Sequence, residues 1–152
     1  MTRLADVVNA SDIVLHSFIE EVRRFYPFFP AAGGRVARPF TWRGMSFDRD
    51  EWLLLDLYGT NHDPRIHDDP GRFRADRFLR QPNTCMVAQG FGPLRQGHRC
   101  AGEGATVALL ATLLRTWRHA SRVTLPDPDA PIPTWRIPTL PRHGVLMRVE
   151  AD

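Results

Sequence analysis

The sequence predicts a mainly α-helical chain with small antiparallel β-sheets and a long irregular stretch between its two main helices. Three observations lead there. Apolar residues recur at helical spacing in two places, a four-residue apolar run has the length of a strand, and turn signals built on proline crowd residues 61–93. With 152 residues, 43% of them hydrophobic and 24% charged, the chain has one domain's worth of sequence. An ordinary globular domain of this size buries roughly 70% of its unfolded surface.

The first helix is expected over 11–26. Ser11 is a suitable N-cap, and Val14, Leu15, Phe18, Val22 and Phe25 fall on one face. Pro27 and Pro30 end it, because proline lacks the amide donor and disfavours helix in its predecessor. Gly33-Gly34 open an extended segment running from Arg35 to Trp42, with a turn at Arg43-Gly44-Met45; the run Trp52-Leu53-Leu54-Leu55 supplies a second strand, giving a hairpin over 35–57. Residues 61–93 carry Asp63-Pro64, Asp69-Pro70-Gly71, Gln81-Pro82 and Gly92-Pro93, with Phe73, Phe78 and Phe91 as anchors. A long irregular segment in a compact domain is usually functional. A second long helix is expected over 101–118, with Val107, Leu110, Leu114 and Trp117 as its apolar stripe and Gly104, Ala105, Ala108 and Ala111 lining its inner turns. The tail, 121–152, is proline-rich loop with short strands near Arg136 and over 145–149.

Composition excludes several classes. No apolar run approaches the ~20 residues that span a bilayer, and no signal-peptide core follows Met1, which points to a soluble, cytoplasmic chain. Two cysteines are too few for a disulfide scaffold and lack structural zinc spacing. All 20 basic residues are Arg, which raises the isoelectric point to about 9.5, but they are scattered among 17 acids. Codon bias accounts for that preference, and without a basic stripe no nucleic-acid partner is expected.

The strongest chemical signal is Gly97-His98-Arg99-Cys100-Ala101-Gly102-Glu103, a cysteine between glycines at the mouth of the second helix. The helix dipole and free backbone amides favour a thiolate there, and the glycines let a large flat ligand approach the sulfur. A buried structural cysteine is the bland alternative, and it is the preferred reading for Cys85 beside Met86 and Val87. Glu21 and Arg24 are three apart on the first helix. Their pairing reads either as a solvated surface contact or, if buried and joined by another Arg, as a structural clamp. His62 and His67 read as surface or capping residues, and no pair of His has helical metal-ligand spacing.

Taken together these segments resemble the cytochromes P-450. Glu21-Val22-Arg23-Arg24 is similar to that family's E-x-x-R helix. Phe73-Arg74-Ala75-Asp76-Arg77-Phe78 is similar to its meander motif, and the segment around Cys100 to its axial-thiolate loop. Val22-Arg23-Arg24-Phe25-Tyr26-Pro27-Phe28 and Leu55-Asp56-Leu57-Tyr58-Gly59-Thr60-Asn61-His62-Asp63-Pro64-Arg65 resemble the fatty-acid peroxygenase branch, as does Pro138-Thr139-Leu140-Pro141-Arg142. The resemblance runs from about Leu15 to about Arg148. It implies the C-terminal third of a cytochrome P-450 fold, with a meander over 61–93 and a haem-ligand loop over 94–103. It implies haem b as cofactor and Cys100 as the axial iron ligand that pushes electron density to the metal. Arg35 and, more weakly, His98 match propionate-binding positions. Glu21, Arg24 and Arg77 match the structural clamp, and 28–34 the loop facing substrate.

By the same resemblance the intact enzyme hydroxylates fatty acids at the α or β carbon with hydrogen peroxide. The alternative is a catalytically inactive haem-binding remnant. Two departures bear on this choice. Pro93 and His98 stand where most members have a Phe and an Arg, and 91–96 lacks the expected glycine-rich stretch. The long distal helix, whose Arg holds the fatty-acid carboxylate, has no counterpart here. No catalytic residue can therefore be assigned, the fragment alone is expected to be inactive, and the missing N-terminal part is itself an expected partner.

Overall fold

A computed structural model describes residues 11–26, 28–81, 86–93, 95–117, 120–126, 131–141 and 143–151. Helix α1, Asp12–Phe25, lies within the expected span, and its Ser11 N-cap is extended. Four short strands follow: β1 (Ala31–Arg35), β2 (Phe40–Trp42), β3 (Met45–Phe47) and β4 (Trp52–Asp56). Two one-turn helices, α2 (Leu57–Asn61) and α3 (Arg77–Arg80), interrupt an otherwise irregular path to α4, Glu103–Thr116. Strands β5 (Ala120–Thr124) and β6 (Arg148–Ala151) pair near the end. The result is a mainly α chain with three small antiparallel two-stranded sheets.

The expected single hairpin over 35–57 is in fact two nested ones. β2 and β3 close over a turn at Arg43 and Gly44, both at positive φ, with Phe40 stacked on Phe47. Outside them β1 pairs with β4 in the register Arg35↔Trp52, Gly33↔Leu54 and Ala31↔Asp56. The strand thus starts at Ala31, before the glycine pair, because Pro30 blocks the helix while both glycines accept extended backbone. A Cβ on Gly33 would meet Leu54 and Trp52 at ordinary van der Waals distance, so no steric demand for glycine exists there. The Asp56 carboxylate then accepts the Gly59 amide at 2.6 Å and caps α2.

The apolar core is small. Leu15, Ile19 and Leu114 are buried, with Phe18, Val107, Leu110, Ala111 and Trp117 packed around them where α1 meets α4. Among the described residues, six apolar side chains are buried against nine polar or charged ones, so the interior is largely held by polar contacts. Many apolar groups are left on the outside, Leu54 at 74% and Leu109 at 71% exposure among them. The accessible surface is 11286 Å², against roughly 7,800 Å² for a folded monomer of this mass. Among the described residues no helix is long and apolar enough to cross a membrane. Pro27, Cys85 and parts of the 121–152 tail lie outside the described residues.

Because Ile19 is 1% exposed, Ile19→Ala should cost about 2–5 kcal/mol in urea unfolding, whereas Leu109→Ala should cost less than about 0.5 kcal/mol. Equal costs would mean that the α1–α4 contact is not the core.

Candidate functional site

The site is built on two polar networks that radiate from α1. In the first, the Glu21 carboxylate is fully buried and accepts four hydrogen bonds. Its Oε2 takes Arg24 Nε at 2.8 Å and Arg77 Nε at 2.9 Å; its Oε1 takes Arg24 Nη2 at 2.9 Å and the Arg74 amide at 2.8 Å. The remaining donors are spent on backbone. Arg24 Nη1 reaches the Asn61 carbonyl at 2.8 Å and that of Pro70 at 3.0 Å, and Arg77 donates to the carbonyls of Asp68, Asp69 and Arg72. Planar, five-donor guanidiniums suit this task, since each bridges one carboxylate to several carbonyls of an irregular segment. Of the two sequence readings of Glu21 and Arg24, the surface contact is excluded: both are buried and Arg77 joins them.

The second network reaches the cysteine loop. Arg23 pairs with Glu20 at 2.7 Å and with Glu103, and its Nε donates to Gln89 Oε1 at 3.1 Å. Glu103, in the first turn of α4, also accepts Arg99. Hydrogen bonds from Arg99 and Arg23 hold the Glu103 carboxyl below the usual carboxylate range, and the same pairing raises Arg99. A carboxylate at a helix N-terminus is further favoured by the dipole.

Between these anchors the loop folds back on itself. The Cys100 amide donates to the Gln89 carbonyl at 2.8 Å, and Gly97 N donates to Pro93 O at 2.7 Å. Gly90 has φ +91°, and a Cβ there would lie 1.9 Å from His98 O; one on Gly97 would lie 2.9 Å from Gly92 Cα and from the Phe91 and Pro93 carbonyls. Glycine is required at both places for the strands of the loop to cross. The crossing thus rests on Gly90 and Gly97, on either side of Pro93.

Cys100 emerges from this crossing with its side chain exposed, just before α4. A Cβ on Gly102 would sit 3.6 Å from Sγ, and nothing lies within 4 Å of one on Gly104. Ala105 and Ala108 on the same helix are exposed. An accessible sulfur beside small residues fits a large planar group bound through a thiolate. His98 is on this loop and exposed. Arg35 lies elsewhere, at the end of β1, with its guanidinium 4.9 Å from the Trp52 ring and no ion pair to another described residue. The structure therefore brings Glu21, Arg24 and Arg77 together, sets His98 two residues from Cys100, and holds Arg35 on the sheet.

Of the two histidines expected as surface or capping residues, His62 is the C-cap of α2, whereas His67 is buried. His67 is 1% exposed, and its Nδ1 meets the Gln81 amide nitrogen at 3.1 Å, which makes it an acceptor there. His62 Nδ1 donates to the Tyr58 carbonyl at 2.9 Å. Both Nε2 atoms are buried without a hydrogen-bond partner among the described residues. Burial, helped by the nearby Arg24 and Arg77 charges, holds both imidazoles below the ordinary histidine value. Sequence reading also missed Gln89, Arg23 and Glu103. Only the i,i+3 spacing of Glu20 with Arg23 and the i,i+4 spacing of Arg99 with Glu103 signalled part of that network.

With this geometry in view, the comparisons are direct. The family model Cytochrome P-450 matches residues 13–134, and the chain belongs to that family. It is 32% identical over 139 residues to cytochrome P-450 4A11 of Homo sapiens, covering 86% of this chain and 25% of that one. It is 36% identical over 113 residues to a flavonoid-6-hydroxylase of Ocimum basilicum, covering 71% and 21%. The chain spans about a quarter of the length of the curated relatives it matches. Among solved structures, cytochrome P-450SP alpha in complex with (R)-ibuprophen superposes with a TM-score of 0.82 at 39% identity, covering 97% of this chain and 37% of that one. Cytochrome P-450EX alpha with myristic acid gives 0.79 at 36% identity, with the same coverages.

The histidine pair yields a pH prediction. A histidine with a lowered folded pKa takes up its proton more readily when unfolded. The stability from the neutral pair is thus complete above about pH 6.5 and lost as pH falls through the lowered folded values. The urea midpoint should drop between about pH 7 and about pH 5, and His67→Phe should flatten that drop. An unchanged slope in the variant would show that His67 does not contribute.

Proposed function

We propose that this chain forms the thiolate-bearing side of a haem enzyme that hydroxylates fatty acids with hydrogen peroxide. The observation that carries the reading is Cys100, exposed at the mouth of α4 on a glycine-crossed loop. The likeness to solved cytochromes P-450 described with myristic acid supports the substrate class. Cys100 would ligate haem iron, and Arg35 and His98 would pair with the propionates. When bound, the haem supplies thiolate-ligated iron chemistry toward C–H bonds. Arg35, whose guanidinium lies over the Trp52 ring, would offer the charge. Residues 28–34, with Phe28 and Phe29 half exposed, would face an acyl chain.

Placement of the acyl carboxylate and exclusion of water would come from polypeptide beyond this chain. The exposed Trp52, Leu54 and Leu109 are the kind of apolar surface that further polypeptide would cover. The same observation favours a second reading, in which the chain by itself is a haem-binding remnant without turnover.

Titration of the purified chain with haem, followed by reduction under carbon monoxide, should give the red-shifted Soret band of a thiolate complex. Cys100→Ser should abolish the band and Cys85→Ser should leave it intact, and the reverse pattern would overturn the assignment. Supplied with hydrogen peroxide and a long-chain fatty acid, the same sample should form no hydroxy acid. Turnover would show that the chain is catalytically sufficient.

A further inference from the structure

Three groups of Gln89 are committed to the loop that carries Cys100. Its backbone carbonyl accepts the Cys100 amide at 2.8 Å. Its side-chain oxygen accepts Arg23 Nε at 3.1 Å, and its amide nitrogen donates to Thr106 Oγ1 at 3.2 Å. We propose that Gln89 is the positioning residue for Cys100, fixing the crossing of the loop between the charged face of α1 and the first turns of α4. The proposal rests on the reading that Cys100 is the haem ligand.

The hydrogen-bond chemistry allows one arrangement. Arg23 can only donate, so the Gln89 oxygen must face it and the NH2 must face Thr106. The Thr106 hydroxyl, in accepting from Gln89, keeps its own proton for the Gly102 carbonyl at 3.1 Å, next to the helix start. Arg23 is itself anchored at both ends, by Glu20 and Glu103. Cys100 is therefore referenced to α1 through Gln89 and Arg23, and to α4 through Gln89, Thr106 and Gly102. Adjacent Gly90, pressed against His98 O, leaves no side chain to do this from the next position. Gln89 touches no reacting atom; it acts through the backbone that carries the sulfur.

The test compares the full chain with Gln89→Met, which fills similar space but removes both side-chain bonds, and Gln89→Glu, which keeps the acceptor for Arg23. In the haem-free chain, hydrogen exchange at the Cys100 amide should speed about tenfold in Gln89→Met and stay near native in Gln89→Glu, while exchange at Ile19 stays unchanged. With haem and carbon monoxide, Gln89→Met should lose part of the red-shifted Soret band that Gln89→Glu keeps. Native exchange at Cys100 in Gln89→Met, or equal acceleration at Cys100 and Ile19, would overturn the proposal, the second by showing a merely structural effect. A red-shifted band that survives Cys100→Ser would instead refute the ligand reading, with the exchange result still deciding what Gln89 does to the loop.

Discussion

One carboxylate organises this molecule. Glu21 accepts two guanidinium nitrogens from Arg24, one from Arg77 and the Arg74 amide, and Arg24 and Arg77 then pass their remaining donors to carbonyls of the irregular segment. A segment with so many turns and so few periodic apolar positions cannot bury enough surface to fix itself. Its order comes from backbone carbonyls satisfied by two buried cations, Arg24 and Arg77; Glu21 pairs with both and cancels one of their two charges, and the carbonyls solvate the rest. Removing one partner of such a cluster is costly, about 3–5 kcal/mol, because it strands the others.

That constraint explains the distribution of material. The buried apolar cluster is the seam where Leu15 and Ile19 meet Leu114, Phe73 packs on Phe18, Phe25 and Tyr26 beside it, and the adjoining face of α1 is charged. The charged face has two outlets. Glu21 and Arg24 hold the segment between α2 and α3, while Glu20 and Arg23 hold the start of α4 and the loop before it. The exposed sulfur of Cys100 thus sits on a frame whose rigidity is electrostatic, while apolar side chains of β4 and α4 remain exposed elsewhere on the surface. A frame of this kind holds the sulfur in place without enclosing it.

Much of this was legible in the sequence for reasons of period and spacing. The α1 and α4 stripes follow from apolar recurrence, and Glu21 with Arg24 from their separation by three. Arg77, 56 residues away from Glu21, was reachable only through the resemblance of its surrounding motif, because no local rule joins a helix to a turn at that distance. Gln89 was invisible: an uncharged residue whose partner Arg23 is 66 positions away leaves no pattern. His67 was misjudged for a related reason. Apart from Ile66 its neighbours in sequence are charged, and its burial is imposed by the segment folding back toward Arg24 and Arg77. The single hairpin failed at the glycine pair, where composition signals a break but Gly33 and Gly34 simply continue a strand.

The central claim is that the Glu21 charge, rather than apolar packing, orders residues 68–77. Site-resolved hydrogen exchange on Glu21→Gln, which keeps size and one acceptor but removes the charge, tests it most directly. The account predicts that the amides of Arg72, Arg74 and Arg77 lose protection while those of the Leu15–Leu114 seam keep most of theirs. Native protection at all three arginines would contradict it.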